Sequence, residues 1–381
     1  MVVVEASASA PGKILWIGGY SVLERPNVSY VTAVKSYVHV AIRPMADKEV
    51  VLDAPQLNLR AAGGIDSEGV LGIEVPKELL LLKTAVGTAS RYASAKGAKM
   101  EGFAVHTKND DAFSYSIEGG RIVKSGLGSS AALTVAAVAA TLKAMGVAAN
   151  RDKVHKLAQI AHSLSTGKVG SGFDIAAASF GSIVYSRYSP DLVKSLPADF
   201  SNDDLLRLAR KRWDYTAEKL SLPDDFKVTF ANFVGEAMIT TAGVGSVSEF
   251  KKDNPGRYGE IIKSLNECNV DAIDALRKVG KGERDALAGF KEAFEKGRSL
   301  TKTLGVLSNV GIEPDDCTGL IERSKENGAY VSKLPGAGGK DAIAAISLSR
   351  PDQTRLRRFW RKNKELSLLK IRMGKKGFKA Q

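Results

Sequence analysis

Only two cysteines occur in the 381 residues, Cys268 and Cys317. That is too few for a disulfide framework or a thiolate zinc cluster. Histidine is also scarce, with four in the chain. His155 and His162 have no carboxylate placed as in an HExxH frame, which argues against a helix-borne catalytic metal. His39 and His106 fall in strand-like patterns and read as structural. No apolar run approaches the roughly 18 residues that a membrane-spanning helix needs. The opening MVVVEASASAPGK carries neither a basic n-region nor a long apolar stretch, so no secretory signal is expected and a cytoplasmic location is. The glycine loop at 126–130 lacks the GK[ST] ending of a Walker A loop. It also lacks the third glycine and downstream acid of a dinucleotide fingerprint.

Against these absences stands an ample apolar fraction. Hydrophobic residues make up 44% and charged residues 25%, which at this length fits two packed domains. The net charge of +13 is uneven: residues 351–381 carry 11 Lys/Arg against 2 Asp/Glu, hence +9 of the total. Such a run resembles a nucleic-acid arm. Its apolar positions 356, 359, 360, 366, 368, 369 and 371 argue instead for a terminal helix or strand docked on the body, with the basic face in water. No nucleic-acid or membrane partner is therefore expected.

Strand-like alternation fills residues 1–45, with β-branched and aromatic enrichment around Val34–Val40. Residues 53–75 read as a loop, and 80–97 as a helix ended by Gly97. A strand over 103–110 leads to turns and then to a helix from about 129 to 145. Val154, Leu157, Ala158, Ala161 and Leu164 share one face of a further helix. Residues 182–188 and 227–234 read as strands, and helices dominate 246–327. The stretch Ser189–Asp225 is polar and proline-punctuated, which places the division between residues 1–200 and 201–381. Runs of strands beside runs of helices indicate α+β.

Three segments carry the chemistry. In KSGLGSSAA (124–132), Gly126 and Gly128 permit a tight bend and close approach to a ligand. Ser129 and Ser130 open a helix whose first N–H groups have no partner and suit a phosphate. PGKILWIGGYSVL (11–23) places Lys13 just before an apolar run, and KLPGAGGKDAIAAI (333–346) supplies a second glycine loop.

With these motifs in this order, the chain resembles the GHMP kinase superfamily from Ala10 to about Ser349. The phosphomevalonate kinase branch is the nearest in pattern, through Gly18-Gly19-Tyr20, through Lys124 ahead of the glycine loop, and above all through AHSLSTGKVGSGFDIAAASFGSIVYSRY (161–188). One departure is Lys340, which stands where that family's third loop carries a glycine.

The resemblance implies an N-terminal ribosomal-protein-S5-like domain, a C-terminal ferredoxin-like domain and an active site in the cleft between them. It implies ATP and Mg²⁺, with (R)-5-phosphomevalonate as acceptor and 5-diphosphomevalonate as product. Asp174 is the candidate general base and Lys13 its catalytic companion, expected to form an ion pair with it. Lys124, Gly126, Leu127, Gly128, Ser129, Ser130 and Ala131 would hold the nucleotide, with Ser129 or Ser130 on the metal. Gly19, Tyr20, Ser171, Gly336, Ala337, Gly338 and Gly339, together with Lys13, would line the acceptor site. Residues 153–173 contain no Asp or Glu, unlike mevalonate kinases. Basic groups fit an acceptor that already carries a phosphate, and Lys168, Arg187 and Lys83 are candidates to grip it. Asp174 is also open to a reading as a plain helix cap. Other acceptors within the superfamily remain as alternatives: mevalonate or its 3-phosphate. A non-catalytic nucleotide- or RNA-binding regulator is the alternative outside catalysis.

Overall fold

The computed structural model describes residues 3–116, 122–234 and 240–381. β1 (Ala6–Ile17) and the long β2 (Ser29–Pro44) form its first antiparallel pair, with Lys13 opposite Ala33. The segment expected to be a loop, 53–75, instead holds strands. β3 (Glu49–Ala54) and β4 (Leu59–Ile65) pair along their lengths, and β5 (Leu71–Gly72) closes that edge. Glycines and short side chains hid the alternation there, because one face of β4 is largely open to water.

After α1 (Lys77–Ser94) comes β6 (Phe103–Asn109), which runs antiparallel to β2 and parallel to β3. A short hairpin follows, β7 (Ser114–Ser116) with β8 (Ile122–Lys124). α2 (Ser129–Ala144) packs against β1, β2, α1 and the next two helices. Its alanine-rich surface suits this central position, since small side chains allow close approach on every side. α3 (Arg151–Thr166) is capped by the Asn150 side chain and ends at Gly167 in the left-handed conformation. α4 (Phe173–Phe180) and β9 (Ile183–Ser186) follow.

The polar stretch expected to divide the domains contributes α5 (Pro190–Lys194), α6 (Asn202–Arg210) and β10 (Thr216–Lys219). β10 pairs with β9 at one edge of the large sheet. The chain therefore leaves that sheet after Lys219, beyond the division at 200 expected from composition.

β11 (Lys227–Phe233) opens the second sheet. Four helices follow: α7 (Thr240–Asp253), α8 (Pro255–Gly280), α9 (Ala286–Leu307) and α10 (Asp315–Glu326). β12 (Val331–Lys333), β13 (Ala342–Ser347), α11 (Arg350–Lys362) and β14 (Leu366–Leu369) complete an antiparallel sheet in the order β12-β13-β11-β14. β15 (Lys379–Ala380) returns to pair with β1. The basic tail is thus docked: Leu356 and Trp360 are buried, and the Trp360 ring N–H donates to Ser324 Oγ at 2.9 Å. Among the described residues, no helix is long and apolar enough to cross a membrane.

The main core is continuous from the large sheet into Phe230, Val331 and Ile346 of the small one. Polar ties reinforce this. Asn269 on α8 donates to Ser21 Oγ at 2.9 Å and to the Val28 carbonyl at 3.2 Å, and Asn266 accepts from the Val28 N–H at 3.0 Å.

His155 on α3 illustrates how closed the interior is. Its ring lies 4.6 Å from Tyr215 and 5.0 Å from Phe180, centroid to centroid. Burial pushes its pKa down from 6.5 to about 3. Below pH 6.5 the unfolded chain takes up a proton there that the folded chain refuses until about pH 3. Stability contributed by this site is therefore complete above 6.5 and declines as pH falls through that window, by up to ~1.4 kcal/mol per pH unit. His155→Phe should flatten the decline of urea-unfolding free energy between pH 6.5 and 4; an unchanged slope would refute the assignment.

Candidate active site

The three sequence motifs converge on one cleft of about 380 Å³ between the two sheets. β1 brings Lys13 to its floor, the 124–131 segment forms one wall, and Ser171, Phe173 and Asp174 form another. Phe230, Gly336, Ala337 and Asp341 line the cleft from the small-sheet side.

Backbone geometry joins the first two motifs. The Lys13 N–H donates to the Leu127 carbonyl at 2.8 Å, and Lys13 Nζ donates to the Gly126 carbonyl at 2.9 Å. Gly128 sits at φ 81° as the residue before α2, and no side chain caps that helix. A Cβ on Gly128 would lie 3.0 Å from Lys13 Cγ and Cε, so glycine is required both for the turn and for the lysine. The uncapped first N–H groups of α2 face the cleft entrance with Ser129 and Ser130, an arrangement suited to phosphate oxygens. Leu127 itself is buried and serves through its carbonyl.

Lys13 is the electrostatic centre. Crowding by protein lowers its pKa, while the carboxylates of Asp174 and then Asp341 oppose that shift. The expected direct ion pair with Asp174 is not formed: Nζ is given to the Gly126 carbonyl and lies 5.7 Å from the Phe173 ring centroid. Asp174 does not occupy the N-cap position of α4. It lies in the first turn of α4, whose N-terminal flanking residue is Gly172, and its Oδ1 accepts from the Ile175 N–H at 2.9 Å. Among the described residues there is no group of three or more His, Cys, Asp or Glu side chains placed to hold a metal ion.

Motif one also reaches motif three. Tyr20 adopts φ 60°, rare for an aromatic residue, and its hydroxyl donates to the Ala337 carbonyl at 2.9 Å. Burial pushes its pKa up to about 12, so it stays a neutral donor. Gly336 and Ala337 face the cleft, whereas Gly338 and Gly339 turn away. The Gly339 N–H donates to the Ile312 carbonyl at 2.8 Å, and a Cβ on Gly338 would lie 2.2 Å from that same oxygen. Gly19 borders a smaller neighbouring cavity of about 40 Å³.

A model of the GHMP kinases N terminal domain matches residues 83–182. A phosphomevalonate kinase of Candida albicans is 30% identical over 390 residues, covering 89% of each chain. One from Saccharolobus solfataricus is 31% identical over 359 residues, covering 93% of each. The chain belongs to the phosphomevalonate kinase family. Its fold is that of the GHMP kinases: a Streptococcus pneumoniae phosphomevalonate kinase solved with phosphomevalonate and AMPPNP superposes with a TM-score of 0.74 at 18% identity, over 98% of this chain and all of that one. The chain is accordingly a phosphotransferase that uses ATP.

The basic residues expected to grip an acceptor phosphate sit outside the cleft lining. Lys168 is exposed and does not line the cleft. Lys83 Nζ donates to the Ile73 carbonyl at 2.6 Å, and Lys340 pairs with Asp316 at the start of α10. Arg187 is 95% buried and donates to the carbonyls of Leu23 at 2.9 Å and Gly170 at 2.7 Å. It belongs to a brace. The Tyr185 hydroxyl donates to the Ser171 carbonyl at 3.3 Å, and Gln159 Nε2 donates to that of Gly172 at 2.9 Å. Three consecutive carbonyls leading into Asp174 are thus held by buried side chains.

Two residues were given no role from the sequence. Asp341, inside the third motif, became visible as a site residue only through its position beside Lys13. Lys333 lies in the smaller cavity with Arg298 and Glu313; burial lowers its pKa to about 8, and it donates to the Trp16 carbonyl at 3.1 Å.

Because Arg187 positions the loop, Arg187→Ala should lower kcat by about 10- to 100-fold, as expected for a small misplacement of a reacting group, with little change in acceptor KM. Arg187→Lys should recover part of it. Steady-state kinetics decide: a variant that raises acceptor KM and spares kcat would mark Arg187 as a phosphate ligand instead.

Proposed function

We propose that the cleft transfers the γ-phosphoryl group of ATP to the phosphate of (R)-5-phosphomevalonate, giving 5-diphosphomevalonate and ADP. The observation that carries this reading is the placement of Lys13 between the uncapped N-terminus of α2 and the two carboxylates Asp174 and Asp341. The relatives named as phosphomevalonate kinases supply the acceptor.

Phosphoryl transfer depends on positioning and charge stabilisation more than on covalent help from the protein. The α2 N–H groups, with Gly126, Gly128 and Lys124, hold the nucleotide phosphates. Mg²⁺ would be held by the Ser129 or Ser130 hydroxyl together with the nucleotide's own oxygens, where it neutralises phosphate charge. Ser171, Tyr20, Gly336 and Ala337 bound the acceptor end. Lys13 draws the transferring group and screens it from the approaching acceptor. The acceptor oxygen forms its bond to the γ-phosphorus as the bond to the bridging oxygen breaks, and that electron pair leaves with ADP.

A phosphate monoester has a second pKa of about 6, so the acceptor is mostly dianionic at neutral pH. Only the monoanion has a proton to lose, and Asp174 is placed to take it. This separates a phosphate acceptor from an alcohol, which needs a base at every pH.

Asp174→Asn should therefore cost more of kcat at pH 6 than at pH 8, within the roughly 10²–10⁴-fold range of a positioned base, while ATP affinity is kept. A loss independent of pH would assign Asp174 to supporting Lys13's charge alone. ADP release should occur with 5-phosphomevalonate, and not with mevalonate or mevalonate 3-phosphate; turnover with either of those moves the acceptor assignment.

The lowered pKa of Lys13 sets the alkaline side. Rate is lost as the ammonium gives up its proton, so the alkaline limb of kcat/KM should fall below 10.5, the ordinary lysine value. Lys13→Arg, which stays charged, should remove that limb from whatever activity remains.

A further inference from the structure

The basic tail contributes charge that the catalytic cleft does not use. Part of it lines a second concavity of about 610 Å³, bounded by α11, the 221–228 segment and residues 371–375. It shares no lining residue with the cleft.

Arg350 and Arg357 lie two turns apart on one face of α11, and Arg372 and Lys375 approach from the returning chain. The backbone that carries them is fixed. The Arg372 carbonyl accepts from the Lys35 N–H at 2.7 Å, and the Gly374 N–H donates to the Ala33 carbonyl at 2.8 Å. Ser182 Oγ, buried at the floor, donates to the Gly374 carbonyl at 2.7 Å. Gln353 is anchored to the Val228 carbonyl at 2.8 Å.

The concavity has one acid, Asp224, and it is already engaged: its carboxylate pairs with Lys375 at 2.8 Å and its carbonyl accepts from Lys227 at 2.7 Å. Arg350, Arg357 and Arg372 make no ion pair among the described residues. Three guanidinium groups left without a counter-charge around a floored groove match an anion with several closely spaced charges, and guanidinium forks suit phosphate oxygens.

We propose that this groove binds a soluble oligophosphate at a site separate from the catalytic cleft. Its volume is that of a small-molecule pocket. A single-stranded nucleic acid would call for exposed aromatic platforms; the one aromatic in the lining, Phe226, is buried. The inference does not depend on which acceptor the enzyme phosphorylates.

Isothermal titration with inorganic tripolyphosphate, in excess Mg²⁺ and with the cleft filled by 5-phosphomevalonate and a single equivalent of a non-hydrolysable ATP analogue, tests it. One tripolyphosphate per chain is expected, with affinity at least tenfold weaker in the Arg357→Glu/Arg372→Glu double variant and with unchanged kcat/KM showing that the variant is folded. No binding once the cleft is filled overturns the proposal, as does equal binding by the variant. Tighter binding of a short RNA that displaces tripolyphosphate overturns it in favour of nucleic acid.

Discussion

A lysine ammonium crowded by protein must be held charged by its neighbours, and that requirement organises the centre of this molecule. Lys13 enters the cleft from β1, a strand of the large sheet. Its charge is supported by Asp174, from the start of α4, and by Asp341, from the small-sheet side. Asp174 is not spent in a direct pair with it. The ammonium hydrogen-bonds to the neutral Gly126 carbonyl and remains positive enough to attract phosphate. In a low-dielectric cleft such a preorganised charge acts strongly without rearranging during the reaction.

The surrounding polar network serves this arrangement. Arg187, Tyr185 and Gln159 hold the carbonyls of Gly170, Ser171 and Gly172, so the loop entering α4 has little freedom. Tyr20 links the first motif to the third through the Ala337 carbonyl. The same contact holds its own backbone in an unfavourable conformation, a form of strain that concentrates at functional sites. Asn266 and Asn269 tie α8 to the segment after motif one. The parts of the cleft that come from distant sequence are therefore joined by hydrogen bonds as well as by the continuous core.

The C-terminal segment is structural first. α11 buries Leu356 and Trp360, β14 extends the small sheet and β15 returns to β1. The basic residues outside those contacts are what is left facing water. Their charge is unusual in being gathered around a concavity instead of being spread over a helix face.

Local regularities in the sequence determined a good deal. The 3.6-residue period of α3, the β-branched run of β2 and the glycines before α2 each act over a few residues, so they can be read without the fold. Resemblance to the GHMP kinases, carried by motifs in a set order, grouped Lys13, the 126–130 loop and Asp174 as one expected site. The strands over 49–72 escaped because an edge strand with one face in water lacks a marked apolar alternation. Tertiary structure alone decided the rest. Whether Arg187 faces a substrate or a carbonyl depends on which loops pack beside it, and its sequence neighbourhood is the same in either case. Lys340 likewise met Asp316 because α10 begins there in space. Asp341 and Asp174 are separated by most of the second half of the chain, and only the closing of the two sheets over one cleft makes them neighbours of a single ammonium.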